Sequence, residues 1–179
     1  MRSFLHVLSE AISRGECHAL VIGGYSLEAY GFQRPTKDID LLVAAPQSGI
    51  LASLLERTGF REAGRNDICA RYVHTDPLLF PVDLLFVNQA TWDRMWPASR
   101  EAMIEGASVH VPSPEHLISL KLHAMKNDPH GREQDFGDIV RIAAGFPKEV
   151  PLENLRAICD QYGPAGIFDQ LSAALRREP

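Results

Sequence analysis

The segment at positions 38–43, which reads D-I-D-L-L-V, places two acidic residues in an otherwise apolar stretch. In an extended strand, successive side chains point to opposite faces of the sheet. Asp38 and Asp40 therefore emerge side by side on one face, while Ile39 and Leu41 point to the other. The pattern predicts a strand whose apolar face is buried and whose other face carries a pair of carboxylates.

Two carboxylates held this close repel each other, and each raises the pKa of the other unless a cation lies between them. Hard divalent ions such as Mg²⁺ prefer oxygen ligands in octahedral geometry, so they suit this pair better than zinc does. The pattern also fits a simpler interpretation, in which each aspartate ends a strand or accepts a local hydrogen bond.

A third carboxylate, Asp83, lies within the apolar segment 81–87, where an unpaired charge would be costly. Residues 68–74 and 80–87 are predicted to form two strands of a hairpin, joined by a turn at 75–77. If this hairpin lies beside the strand at 38–43, the three carboxylates converge. Such a set is large enough to hold two metal ions against a phosphate chain.

A glycine pair follows the apolar segment 19–22 and precedes a predicted short helix at 26–30. Backbone N–H groups at Gly23 and Gly24 are expected to point at phosphate oxygens, with the Ser26 hydroxyl as an additional donor. The segment lacks the lysine of a Walker A loop and the third glycine of a dinucleotide-binding fingerprint.

The remaining pattern predicts a mixed α/β half followed by a helical half. A first helix is expected from residue 4 to about residue 12, another over 50–55, and a small strand over 108–111. Helices are expected from Pro114, with Ser113 as N-cap, and over 135–144, 152–162 and 167–176. With 179 residues and 45% apolar types, the chain is expected to form a single domain, 1–179, with a core of about 1–112 and a helical portion of about 113–179.

Composition excludes several classes of protein. The net charge of −5 argues against binding a nucleic-acid backbone through a broad basic surface. The three cysteines are widely spaced, which predicts neither a disulfide framework nor a paired-cysteine zinc site and favours a reducing cytoplasm. No signal peptide or membrane-spanning segment is expected.

Taken together, these motifs resemble the minimal nucleotidyltransferases of the DNA polymerase β superfamily, in particular bacterial proteins related to AbiE-type (AbiEii) toxins. The ordered set carries the resemblance over about residues 19–141, and its segments are V-I-G-G-Y-S at 21–26, R-P-T-K-D-I-D-L-L-V at 34–43, P-V-D-L-L at 81–85, P-S-P-E-H-L-I-S-L-K-L at 112–122 and R-E-Q-D-F-G-D-I at 132–139.

This resemblance implies an α/β (α+β) nucleotidyltransferase fold with a mixed sheet, flanking helices and a helical C-terminal portion. It also implies a metal-dependent enzyme (EC 2.7.7 type) that transfers NMP from an NTP to a hydroxyl acceptor. Two Mg²⁺ ions are expected, with Mn²⁺ as an alternative. By the same resemblance, the catalytic and metal-ligating residues are Asp38, Asp40 and Asp83, and the nucleotide-binding residues are Gly23, Gly24, Ser26 and Lys121.

Several assignments remain open on the sequence alone. Lys121 also fits a solvated face of its helix, and Asp135 and Asp138 could pair with Arg132 and Arg141 instead of forming the family's C-terminal acidic motif. Arg34 and Thr36 match the approach to the acidic strand, with either a phosphate-binding or a loop-stabilising role.

The acceptor could be tRNA, a protein or a small molecule, and the enzyme could be the toxin of a toxin–antitoxin pair blocked by an antitoxin protein. The alternative is a catalytically silent module of the same fold that binds a nucleotide or a partner.

Overall fold

The structure, a computed structural model, describes residues 3–127 and 131–177. The chain divides into two compact units, 1–112 and 113–179. The first contains a sheet with helices, and the described part of the second is helical. The first and last residues of the predicted domain, 1 and 179, lie outside the described residues. That the two units form one functional domain stays a prediction.

A seven-stranded sheet organises the described part of the first unit. Its order is β3-β4-β5-β2-β1-β7-β6. The β2–β5 and β1–β7 pairs are parallel, whereas the other neighbouring pairs are antiparallel. This mixed sheet confirms the predicted fold class. The strands are β1 (Leu20–Ile22), β2 (Ile39–Ala44), β3 (Phe60–Arg65), β4 (Cys69–His74), β5 (Val82–Val87), β6 (Arg100–Ile104) and β7 (Ala107–Val111).

Four α-helices accompany this sheet within residues 3–112: α1 (Phe4–Ser13), α2 (Gly23–Glu28), α3 (Ser48–Arg57) and α4 (Gln89–Met95). The helix predicted at the start of the chain is confirmed as α1, which buries Phe4, Leu5, Leu8 and Ala11, whereas Ile12 is only partly buried. The glycine pair forms the first turn of α2, whereas the sequence predicted a helix that starts three residues later.

The central strand β2 changes character along its length. Asp40 is partly exposed, whereas Leu41, Leu42, Val43 and Ala44 are all buried. Alternation with one polar face therefore describes only the beginning of β2. Beyond Asp40 the strand is apolar on both faces because helices α2 and α4 pack against it, as expected for a strand in the middle of a covered sheet.

In the second unit, the helices within 114–127 and 131–177 are α5 (Pro114–Asn127), α6 (Arg132–Gly145), α7 (Leu152–Tyr162) and α8 (Ile167–Leu175). All four predicted helices are confirmed. The His116 backbone N–H donates to the Ser113 hydroxyl at 3.4 Å, a long contact in the place of the predicted N-cap. None of the helices in the described ranges is both long and apolar enough to cross a membrane.

Strands β3 and β6 were not predicted from the sequence. They occupy the two edges of the sheet, and in β3 only Phe60 is buried. An edge strand receives its backbone hydrogen bonds from a single neighbour and can remain largely exposed, so its sequence need not alternate. The predicted hairpin of β4 and β5 is confirmed.

Candidate active site

Three carboxylates meet where β2 and β5 begin. Asp38 directly precedes β2, Asp40 lies within β2, and Asp83 lies within β5. The parallel register places Asp40 opposite Asp83. One oxygen from each of the three side chains lies within 4.8 Å of the others, and all three residues are partly exposed. The predicted convergence is therefore present, and the chemical roles of the three residues stay predictions.

The third carboxylate has a basic neighbour that sequence analysis missed. Arg71 on β4 lies opposite Asp83 in the antiparallel β4–β5 register, and its Nη1 donates to Asp83 Oδ2 at 2.7 Å. Burial raises the pKa of Asp83, as does the charge of Asp38, whereas Arg71 acts to lower it. The loop between β4 and β5 has seven residues, too long for its sequence to specify which residue of β4 faces Asp83.

The glycine turn directly adjoins this cluster. Gly23 has φ +65°, a conformation that favours glycine. A Cβ at this position would collide with Asp40 Oδ2 and lie 2.8 Å from Asp40 Cγ. A side chain at Gly23 would thus fill the space into which the Asp40 carboxylate projects, so the turn and the carboxylates form one site.

The second glycine is enclosed by the loop that leads to β2. A Cβ at Gly24 would lie 2.8 Å from Thr36 Cβ and 3.1 Å from Arg34 Nη2. The Thr36 hydroxyl lies 3.2 Å from both the carbonyl oxygen and Oδ1 of Asp38 and can donate to either. Thr36 therefore has the loop-stabilising contact that the sequence left open, and Arg34 carries a positive charge beside the turn.

The side chains that follow the glycine pair point away from solvent. Ser26 is fully buried, and its hydroxyl donates to the Gly23 carbonyl oxygen at 2.8 Å. Tyr25 is also buried, and its hydroxyl donates to Glu105 Oε1 at 3.1 Å. Helix α2 thus turns the Ser26 side chain towards the core, and the role of its hydroxyl as a phosphate donor stays a prediction.

In the second unit, Lys121 is buried within an ion-pair cluster. Its Nζ donates to Asp135 Oδ1 at 3.1 Å and to Asp138 Oδ2 at 2.7 Å. The Lys121 side chain is only 7% exposed, so the alternative of a solvated lysine is wrong. Arg132 instead donates from Nε to the Met125 carbonyl oxygen at 2.8 Å.

Comparison with known families gives a match over nearly the whole chain. The family described as nucleotidyl transferase AbiEii toxin, type IV TA system, matches residues 6–176. No curated protein sequence matches the chain significantly.

Solved structures with a similar fold include three nucleotidyltransferase-type proteins. ANT(2'')-Ia in complex with adenylyl-2''-tobramycin is 22% identical, with a TM-score of 0.56 over 97% of this chain and 94% of that one. A nucleotidyltransferase-like protein from Paracoccidioides brasiliensis is 18% identical, with a TM-score of 0.57 over 98% and 91%. The lincosamide antibiotic adenylyltransferase LnuA, bound to lincomycin, is 13% identical, with a TM-score of 0.54 over 75% and 93%.

Proposed function

Because the chain belongs to the family of AbiEii nucleotidyl transferase toxins, we propose that it transfers an NMP from an NTP to a hydroxyl acceptor at Asp38, Asp40 and Asp83. The observation that carries this proposal is the contact between the glycine turn and the carboxylate cluster. The proposed site for phosphate oxygens therefore adjoins the proposed site for divalent cations, which is the arrangement that nucleotide transfer requires.

The donor set suits a hard divalent cation. Each carboxylate offers an oxygen within 4.8 Å of the other two, and oxygen-only ligation favours Mg²⁺ or Mn²⁺. When bound, two such ions would offset the negative charge of the triphosphate and of the leaving pyrophosphate. Asp38 and Asp40 are the principal candidate ligands, and Asp83 completes the set.

The residues of the chain have separate tasks in the proposed reaction. The acceptor oxygen forms a bond to the α-phosphorus, and the bond from that phosphorus to the pyrophosphate oxygen breaks, with the electron pair leaving on pyrophosphate. The hydroxyl proton leaves with help from the metal or from Asp83, whose pKa in the metal-free protein is raised by burial.

Phosphate oxygens are assigned to backbone N–H groups at Gly23 and Gly24, which have no side chains to obstruct close approach. Arg34 beside Gly24 supplies a cation at the same place. Ser26 is retained as a nucleotide-binding residue on the basis of the resemblance, and its hydrogen bond to the Gly23 carbonyl oxygen also supports the turn from the core side. Lys121 is retained as a nucleotide-binding residue on the basis of the resemblance, and its buried ion pairs supply a competing structural explanation.

The acceptor and biological setting form a finer proposal. Family membership supports a role as the toxin of a toxin–antitoxin pair, with an antitoxin protein as partner and tRNA or protein as acceptor. The ANT(2'')-Ia complex with adenylyl-2''-tobramycin supports a small-molecule acceptor. The cysteines of the described ranges are free, which supports a cytoplasmic setting.

The test is transfer by wild-type protein and Asp40→Asn. Each is incubated with labelled NTPs, Mg²⁺ or Mn²⁺ and a cell extract, and the labelled species are identified. Asp40→Asn is expected to remain folded, with thermal stability unchanged or slightly higher since like-charge repulsion decreases, and to lose transfer. Asp67→Asn, an exposed residue outside the cluster, provides the charge-matched control and should retain transfer.

Undiminished transfer by folded Asp40→Asn would refute the proposed site. If wild-type protein binds NTP but labels no acceptor, the catalytically silent module becomes the better interpretation.

A further inference from the structure

The Arg71–Asp83 ion pair has no role in the mechanism described above. Arg71 lies on β4, and its guanidinium holds one oxygen of a carboxylate that the proposed function assigns to metal ions. The Arg71 side chain is 49% exposed, whereas that of Asp83 is 19% exposed. The arginine can therefore leave the pair for solvent at small cost, while the aspartate stays in the cluster.

The sheet order places Arg71 on a definite side of the site. The sequence of neighbours is β4-β5-β2-β1, with Arg71 on β4, Asp83 on β5 and Asp40 on β2. Gly23 follows β1 directly. Arg71 and the glycine turn thus flank the carboxylate cluster from opposite sides, and the guanidinium does not lie in the place assigned to the triphosphate.

The charge of Arg71 weakens the attraction of the carboxylate cluster for a divalent cation. A guanidinium on Asp83 cancels one of the three negative charges that attract a divalent cation, and it repels a cation bound beside them. Bound triphosphate would add negative charge from the opposite side of the cluster. Metal affinity is therefore expected to be low without nucleotide and to rise when nucleotide is present.

We propose that Arg71 is a resident counter-cation that withholds Asp83 from divalent metal ions until a nucleotide triphosphate is bound. This proposal rests on the proposed function, since it assumes that the cluster binds metal. Arg71 acts through Asp83 and is a positioning residue. Its effect couples metal loading to nucleotide binding and so limits the occupancy of the site by metal alone.

The test measures Mn²⁺ binding without nucleotide, from the electron paramagnetic resonance signal of the free ion. Arg71→Gln and Arg71→Met are expected to bind Mn²⁺ about tenfold more tightly than wild type. Arg71→Lys, which keeps the charge, should remain close to wild type. Arg61→Gln, an exposed arginine on β3, makes the same change in net charge two strands away from Asp83 and should have little effect.

A second measurement addresses the coupling itself. Inorganic triphosphate, which avoids any choice of base, is titrated into each variant by calorimetry with and without Mn²⁺. The wild-type protein should bind triphosphate more tightly with Mn²⁺ than without it, and this ratio should fall in Arg71→Gln. Structural damage would weaken Mn²⁺ binding, so tightening distinguishes the counter-cation from a residue needed only for folding.

Unchanged or weaker Mn²⁺ binding in both neutral variants would overturn the proposal for Arg71. If Asp40→Asn still abolishes Mn²⁺ binding in that case, the proposed metal site stands, but Arg71 has no role in it. If Asp40→Asn binds Mn²⁺ as well as wild type, the metal site of the proposed function is refuted, and the proposal for Arg71 is refuted with it.

Discussion

Gly23 is required for two separate reasons, a positive φ and the nearby Asp40 carboxylate. Gly23→Ala is expected to lower the free energy of unfolding by about 1–3 kcal/mol through backbone strain. It should also displace Asp40 and abolish Mn²⁺ binding, because the new methyl group takes the position of the carboxylate. Chemical denaturation and Mn²⁺ titration measure the two effects.

The matched control is Gly31→Ala. Gly31 has φ +81°, and a Cβ there would meet no atom within 4 Å. Its replacement should cause comparable strain and leave Mn²⁺ binding intact. If Gly23→Ala binds Mn²⁺ like Gly31→Ala does, the turn and the carboxylates are not interdependent.

The raised pKa of Asp83 predicts a pH dependence. Burial, the largest cause, lifts this pKa above its ordinary value of 3.8, so the folded protein binds the proton more readily than the unfolded chain does. The resulting stabilisation is present at low pH and is lost as the pH rises from 3.8 through the pKa of the folded protein.

Asp83→Asn has no carboxyl group at this position, so it cannot show this loss of stability as the pH rises. Its melting temperature relative to wild type, measured in EDTA, should therefore rise as the pH increases from 3.8 towards neutrality. A constant or falling difference would contradict the assignment.

The pairing of β2 with β5 shows how far local sequence determines the site. Alternation at the start of β2 and the hairpin pattern predicted the face on which each carboxylate emerges, since strand periodicity fixes the face of each side chain. The convergence of the three carboxylates also required that the hairpin lie beside β2, which local sequence does not specify. Arg71 and the burial of Ser26 could not be predicted. One depends on the register across a long loop, and the other on how α2 packs against the sheet, and neither leaves a periodic signal in the sequence.

A two-residue turn, Glu105-Gly106, joins β6 to β7 and contacts α2, from which it is far apart in sequence. Both residues have positive φ, 50° and 80°, as in the type I′ turns that favour Asn-Gly. Glu105 is therefore a poor residue for its own turn, yet it accepts a hydrogen bond from the buried Tyr25. We infer that this contact offsets the local strain and holds α2 beside the site.

A double-mutant cycle tests that balance. Glu105→Asn should change stability little in wild type, because strain relief offsets the lost hydrogen bond. In Tyr25→Phe, which lacks the hydroxyl, the same substitution should stabilise by about 1 kcal/mol. Urea denaturation of the four proteins gives the coupling energy, and equal effects of Glu105→Asn in both backgrounds would show that the contact contributes nothing.

The residues assigned to nucleotide transfer are divided between the two compact units. The carboxylates and the glycine turn belong to 1–112, and Lys121 belongs to 113–179. Within its own unit, Lys121 joins α5 to α6 through Asp135 and Asp138. Loss of transfer in a single Lys121 variant would therefore not distinguish damage to the helical unit from loss of a charge at the nucleotide.

A compensated variant separates the two explanations. Lys121→Met should lower the free energy of unfolding by about 3–5 kcal/mol, because the buried Asp138 loses the ion pair with the Lys121 ammonium. Adding Asp138→Leu removes that buried charge as well and should recover most of the stability, since Asp135 is 20% exposed and can be hydrated. Denaturation curves measure both changes.

The stable double variant then reports on nucleotide binding alone. If Lys121 neutralises phosphate charge, the KM of the double variant for NTP should remain raised although its fold is restored. Lys126→Met, on the exposed face of the same helix, should leave both stability and KM near wild type. A double variant with wild-type KM and kcat would show that the Lys121 cluster serves only to join α5 to α6, and the phosphate charge would then have to be met by Arg34 and the metal ions.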